Sequence, residues 1–287
     1  MQLYQEFKKR ILPHEFLWLV YLAIQFGLLL YHAPLSVWTY FTFGMIILVA
    51  GLVFCHNTFI RLGTYVLIMN GMFTALRYIS PLINPEGHVD TFLNNIDLSL
   101  FGRNLSLALE PFSYPVLTEI LSVAYMLFML QLFLGWVLYL LRPGQARQRF
   151  FVGAMSLYAL GFIGYILFPA YGPYLFLKES FSDPLNAGIF RALLNWCYPK
   201  GTNYTDVFPS LHCGVSLLIL GADYFYNKKA FKIWLPICIL LWFSTVYLRY
   251  HYVIDCIVGF ILAVICLYLM RHYRYQKGDT NDKRFIF

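Results

Sequence analysis

The sequence predicts an all-α fold: a polytopic transmembrane helical bundle of about eight spans. Three observations predict it. Of 287 residues, 60% are hydrophobic and only 12% charged, against roughly 25% charged in a soluble domain. The apolar residues gather in runs long enough to cross a hydrocarbon core about 30 Å thick, which takes roughly 20 helical residues. The basic residues recur between those runs, which is a topology signal. The net charge of +7 is therefore spread along the chain instead of forming a patch, and nucleic acid is not expected as a partner.

In order, the spans cover residues 15–33, 35–56, 62–82, 114–141, 150–169, 208–226, 233–249 and 252–270. Lys8, Lys9 and Arg10 precede the first run as they would in a signal peptide, but no small-residue cleavage site follows, so the segment is read as a retained helix. Five of the six cysteines lie in apolar runs and act there as small hydrophobes. Neither a disulfide framework nor a zinc site is expected.

The loop charges set the orientation. With the N-terminus inside, the cytoplasmic segments collect Lys8–Arg10, Arg61, Arg142, Arg147, Arg149, Lys228, Lys229, Lys232, Arg271, Arg274, Lys277, Lys283 and Arg284. Both termini are then cytoplasmic, and the longer loops 83–113 and 170–207 face outward. In the first of these loops, Val89, Phe92, Leu93, Ile96 and Leu100 recur at helical spacing with Asp90, Asn94 and Asp97 between them. That pattern predicts an interfacial helix, either bracing the bundle on the lipid surface or acting as a lid. Asn70, Glu119, Gln131 and Asp223 are read as interhelical hydrogen-bonding residues.

Two polar motifs interrupt the apolar C-terminal third. One is Phe208-Pro209-Ser210-Leu211-His212; the other runs from Ser244 to Asp255 and contains Thr245, Arg249 and His251. Ionisable groups near a bilayer are costly and mark function by default, and this layout brings both motifs to the outer face. Pro209 suits a first helical turn. The N–H groups of Ser210, Leu211 and His212 would then form an anion site at the positive end of the helix. His251 and Asp255 are four apart and share a helix face. Asp255 can accept the Nδ1 proton of His251 and leave Nε2 as a lone-pair nucleophile. Arg249 offers a planar fork of donors matched to phosphate oxygens. The structural alternatives are an interface histidine, a His–Asp bond joining two helices, and a snorkelling arginine.

These residues resemble the type 2 phosphatidic acid phosphatase superfamily, whose signatures are KxxxxxxRP, PSxH and SRxxxxxHxxxD. Pro209-Ser210-Leu211-His212 matches the second in full, and Ser244, His251 and Asp255 match the third with its spacing. The resemblance covers roughly residues 62–270. It implies a six-helix catalytic core over 61–272, with two added helices in 1–60 and a cytoplasmic tail at 273–287. Two departures stand out. Thr245 occupies the arginine position of the third signature, so Arg249 is its natural substitute. The first signature is absent: Leu167 to Tyr174 carries prolines and no basic residue. A similar proline segment makes the chain resemble the inositol phosphorylceramide synthase-like branch. Lys178, Lys200, Arg191, Arg103 and Arg77 are the candidates for the missing charge, with Lys200 nearest in sequence to Ser210 and Lys178 nearest to the proline segment.

The resemblance implies a metal-independent lipid phosphatase or phosphotransferase that needs no cofactor. A lipid phosphate ester would settle at Ser210, clamped by Arg249 with Lys200 or Lys178. His251 would attack phosphorus and His212 would protonate the leaving oxygen. Water or an alcohol would then open the phosphohistidine. The partners are a membrane lipid phosphate and, in the transfer alternative, an alcohol or lipid acceptor. A transporter with a His/Asp proton relay and a catalytically inert membrane module are the competing readings.

Overall fold

In a computed structural model the described residues are 2–84, 87–185 and 187–274; the side chains of Gln2, Leu3, Pro199 and Lys200 also lie outside the description. Thirteen α-helices follow one another, with no strand among the described residues: α1 (Gln2–Arg10), α2 (Pro13–His32), α3 (Val37–Leu52), α4 (Thr58–Ile83), α5 (Asp90–Phe101), α6 (Leu105–Ala108), α7 (Pro115–Leu141), α8 (Gln145–Leu167), α9 (Pro173–Phe176), α10 (Ile189–Gly201), α11 (Leu211–Tyr226), α12 (Lys228–Tyr247) and α13 (Val253–His272). Helices α2, α4, α7, α8, α12 and α13 are long and apolar enough to cross a membrane. Helices α3 and α11 have 16 residues each, about 24 Å at 1.5 Å per residue. Together these eight helices correspond to the eight expected spans.

Local chemistry sets where the helices start. Pro13 and Pro115 occupy first-turn positions that need no intrahelical N–H bond. Ser36, Asn57 and Asn227 cap α3, α4 and α12 by accepting from Thr39 N, Ile60 N and Ala230 N.

Helix α8 is the central post and is buried along most of its length. Its small residues let neighbours approach closely. A Cβ at Gly161 would press into Leu211, and one at Gly164 would overlap Pro209. Gly259 of α13 lies so close to the Ser210 carbonyl that no side chain fits between them. These contacts draw the starts of α11 and α13 against the end of α8.

The bundle has two distinct ends. At one, Asn84 Nδ2 donates to Ile166 O, Val89 N to Pro169 O, and Ser210 N to Asp255 O. At the other, Arg61 pairs with the buried Glu15, Arg142 Nη1 donates to Tyr226 O, and Arg149 Nε donates to Tyr273 O. The first α-helix and the end of α13 both lie at this second, arginine-rich end.

Helix α5 forms where the spacing predicted an interfacial helix. Its carboxylates Asp90 and Asp97 are buried, while Phe92, Leu98 and Leu100 face outward. In a lipid setting the apolar face of a surface helix can look away from the protein, and here the acids turn inward to meet backbone N–H groups. Asn70 departs from expectation: it is exposed and bonds Val66 O of its own helix. Gln131 and Asp223 do bond across helices, to Cys238 Sγ and Tyr139 respectively.

Candidate active site

Three helix ends converge at the first end of the bundle. The start of α11 supplies Ser210 and His212. The turn after α12 supplies Arg249 and His251, and the first turn of α13 supplies Asp255. His251 Nε2 lies 3.3 Å from His212 Nδ1. On the other side of the His251 ring, Nδ1 lies 3.5 Å from Asp255 Oδ2. That separation is longer than a hydrogen bond, and His251 Nδ1 and Asp255 Oδ1 are both buried without a hydrogen-bond partner. The Asp255 Oδ2 atom accepts from Tyr252 N at 2.8 Å. The carboxylate thus caps its own helix while facing the imidazole.

Burial lowers the His251 pKa to about 4, against the opposing pull of the Asp206 charge and the Val207 carbonyl. The ring is therefore neutral at pH 7, the state a nitrogen nucleophile requires. His212 stacks on Tyr125 and packs against Phe128, each at 4.7 Å between ring centroids.

Ser210 is fully buried and is the N-cap of α11. Its hydroxyl accepts from Cys213 N at 3.4 Å. Its own N–H is not free, as the sequence suggested, but donates to Asp255 O at 3.0 Å. Pro209 precedes the cap and is joined to Phe208 by a cis peptide bond.

Arg249 sits in the left-handed region at φ 70°, which is uncommon for a residue with a side chain. Tyr250 N and His251 N both donate to Thr245 O and tie this turn. The Arg249 guanidinium donates from Nη1 to Asp183 O at 2.6 Å and stacks over Phe181 at 3.8 Å. Its Nη2 lies 3.5 Å from Glu110 Oε1. Burial lowers its pKa while Glu110 and Asp183 oppose that shift. To reach a phosphate beside His251, this side chain would have to leave those partners. Lys178 is exposed and faces Glu179. The side chain of Lys200 lies outside the described residues. Among the described residues, no group of three His, Cys, Asp or Glu side chains is placed to hold a metal ion.

The model of the PAP2 superfamily matches residues 97–269, more than half of the chain. The chain belongs to the PAP2 superfamily. No curated protein and no solved structure matches. The match begins at Asp97, inside α5, and runs nearly to the end of α13. It takes in every residue of the two motifs.

This PAP2 member surrounds the histidines with residues that motif spacing did not reveal. Asp97 accepts from Val253 N at 2.8 Å and Ile254 N at 3.0 Å, and so fixes the start of α13. Asp90 accepts from Tyr171 N and Gly172 N, both at 2.8 Å, and from Tyr252 Oη at 2.9 Å. Tyr250 stacks on Tyr198 and packs on Tyr125, each at 4.8 Å. Together these tyrosines form a wall that ends on His212. The available signal for Asp90 and Asp97 was their spacing: two acids at i and i+7, on one face of a predicted interfacial helix.

Proposed function

We propose that this protein cleaves a lipid phosphate ester through a phosphohistidine on His251, at the extracytoplasmic face of the membrane. One observation carries the reading. Two imidazoles face each other at 3.3 Å, with a carboxylate behind the one that would attack. Membership of the PAP2 superfamily supports phosphatase or phosphotransferase chemistry in general. The arginine-rich opposite end, which also holds α1 and the end of α13, supports placing the site outside.

In the first step the His251 Nε2 lone pair forms a bond to phosphorus as the ester P–O bond breaks. His212 gives its proton to the departing alkoxide. A dianionic phosphate beside His212 favours the imidazolium needed for this step. Asp255, 3.5 Å behind the ring, would have to close on Nδ1 of His251 to hold its proton, and from there would offset the positive charge that develops on the ring. For the substrate to enter, the His212–His251 contact must open by the width of a phosphoryl group. In the second step His212, now neutral, takes a proton from water, and the oxygen displaces His251 from phosphorus. The products are an alcohol and inorganic phosphate.

Transfer to a lipid alcohol, as in the inositol phosphorylceramide synthase-like branch, uses the same residues. The wall of Tyr125, Tyr250 and Tyr198 favours that reading, because its ring faces suit an acyl chain or a headgroup more than bulk water.

The test uses purified protein in detergent with a panel of radiolabelled lipid phosphates, with and without alcohol acceptors. Wild type should trap acid-labile label on the protein and release either free phosphate or a transferred headgroup. His251→Ala should trap none and turn over none. Near-normal turnover by His251→Ala would falsify the scheme, and activity that needs a proton gradient would favour the transporter reading.

A further inference from the structure

The cation best placed to receive an anion at this site is in α10, outside both motifs. Arg191 is 1% exposed. Its Nη1 donates to Tyr250 Oη at 3.2 Å, and its guanidinium lies against the rings of Tyr174 and Tyr250, at 5.9 and 5.8 Å. Its Nε and Nη2 are buried and have no hydrogen-bond partner among the described residues. Those two N–H groups lie side by side on one edge of the guanidinium, the edge that meets two oxygens of a phosphate or carboxylate at once.

The charges around Arg191 point the same way. Glu119, the acid at the start of α10, is committed to the backbone: it accepts from Phe190 N at 3.0 Å and from Arg191 N at 2.8 Å. Arg249 is an electrostatic neighbour of like charge, but its own donors are engaged by Asp183 and Glu110. A buried guanidinium with an unmade donor edge and no carboxylate on its side chain is costly. An entering anion removes that cost.

The route to the histidines is continuous. Arg191 holds Tyr250, Tyr250 packs on Tyr125, and Tyr125 stacks on His212. Tyr250 is also the residue just before His251.

We propose that the Nε–Nη2 edge of Arg191 binds the phosphate oxygens of the substrate, supplying the cationic contact that the motif region lacks. This rests on the phosphoryl-transfer reading above and adds to it the residue that holds the anion. Tyr250 is a positioning residue in this arrangement, fixing the third nitrogen so that the free edge keeps its direction.

The test compares wild type, Arg191→Lys, Arg191→Gln and Tyr250→Phe as purified full-length proteins. Two ligands are used: inorganic phosphate, and phosphatidate in mixed micelles. The readouts are thermal stabilisation by each ligand, inhibition of turnover by phosphate, and kcat and KM. Wild type should be stabilised and inhibited. Arg191→Lys keeps the charge but loses the fork, and should weaken inhibition about 10-fold; Arg191→Gln should abolish the stabilisation, a ligand-dependent change that a purely structural role would not produce. Tyr250→Phe should retain binding with a few-fold loss. If Arg191→Gln fails to fold, the lysine variant decides. Should Arg191→Lys bind and turn over phosphate like wild type while His251→Ala is inactive, the assignment of Arg191 is overturned and the phosphoryl-transfer reading stands. A wild-type protein that neither turns over lipid phosphates nor responds to phosphate overturns both.

Discussion

Replacing Asp97 by alanine tests whether an interfacial helix holds the catalytic loop in register. The carboxylate is 1% exposed, and its two oxygens receive Val253 N and Ile254 N at 2.8 and 3.0 Å. Both donors belong to the first turn of α13, where N–H groups have no partner within the helix. A hydrogen bond to a charged group contributes about 1.5–3 kcal/mol. Removing two, with the donors left part-buried, should destabilise the protein by about 3–5 kcal/mol. Asp97→Asn retains one acceptor oxygen and should lose about half of that. The catalytic effect follows from position: His251 is two residues before Val253 and Asp255 two after it. If the first turn of α13 frays, the His251–Asp255 geometry goes with it, so kcat should fall at least 10-fold while KM changes little. Equilibrium unfolding in mixed micelles measures the first effect, and steady-state kinetics the second. An Asp97→Ala protein within about 0.5 kcal/mol of wild type, with unchanged kcat, would refute the argument, because ordinary surface changes stay within that range.

Two further outcomes follow from the same site. Burial lowers the His251 pKa to about 4, so the folded protein binds fewer protons than the unfolded chain as the pH falls below about 6.5. The stability contributed by neutral His251 is full above pH 6.5 and is lost progressively toward pH 4, by an amount on the order of 3 kcal/mol. His251→Gln should flatten that part of the stability–pH curve, and an unchanged slope would count against burial as the cause. Gly259→Ala places a Cβ against the Ser210 carbonyl, forcing α11 and α13 apart at a cost of about 1–3 kcal/mol. Because those helices carry His212 and Asp255, turnover should fall with stability, and a fully active, equally stable Gly259→Ala protein would contradict the close-packed junction.

Features set by one-dimensional patterns could be read from the chain, and features set by contacts between distant residues could not. Hydropathy and length account for the six helices long enough to span and for the two shorter apolar helices α3 and α11, since a bilayer imposes one dimension on every run. The i, i+4 spacing of His251 and Asp255 suggested one helix face; Asp255 does lie in the first turn of α13, but His251 sits in the turn before it, while Pro-Ser-x-His marked the start of α11. The partners of these groups were hidden. Ser210 N finds Asp255 O, 45 positions away in the chain, and Arg249 finds Glu110, 139 positions away. The apolar pattern of α5 gave its helical character but not its facing, because lipid accepts the apolar side that water would reject. Arg191 was one of five basic residues that could supply the missing charge, and nothing in the sequence separated it from the other four; its buried, unpartnered edge does.

The carboxylates around the site share one further property that bears on why an anion can bind there. Asp90 takes two backbone N–H groups of the turn after α8, Asp97 takes two at the start of α13, Glu110 takes Ser182 N and Asp183 N, and Glu119 takes two at the start of α10. In the case of Glu110, burial works to raise the pKa, but the N–H groups and Arg249 outweigh it and the net shift is downward. Each acid thus has its charge offset by amide donors that fix a loop, and only Glu110 also contacts an arginine side chain. Had one of these acids paired with the Arg191 side chain, its free edge would be matched and its charge compensated. The arrangement instead places negative charge where the backbone needs an acceptor and leaves one guanidinium edge unmatched beside the tyrosine wall. In the proposed reaction, a phosphate ester entering there would meet an unmatched cation at the wall, a neutral His251 to attack its phosphorus, and His212 at the wall's end to manage the proton.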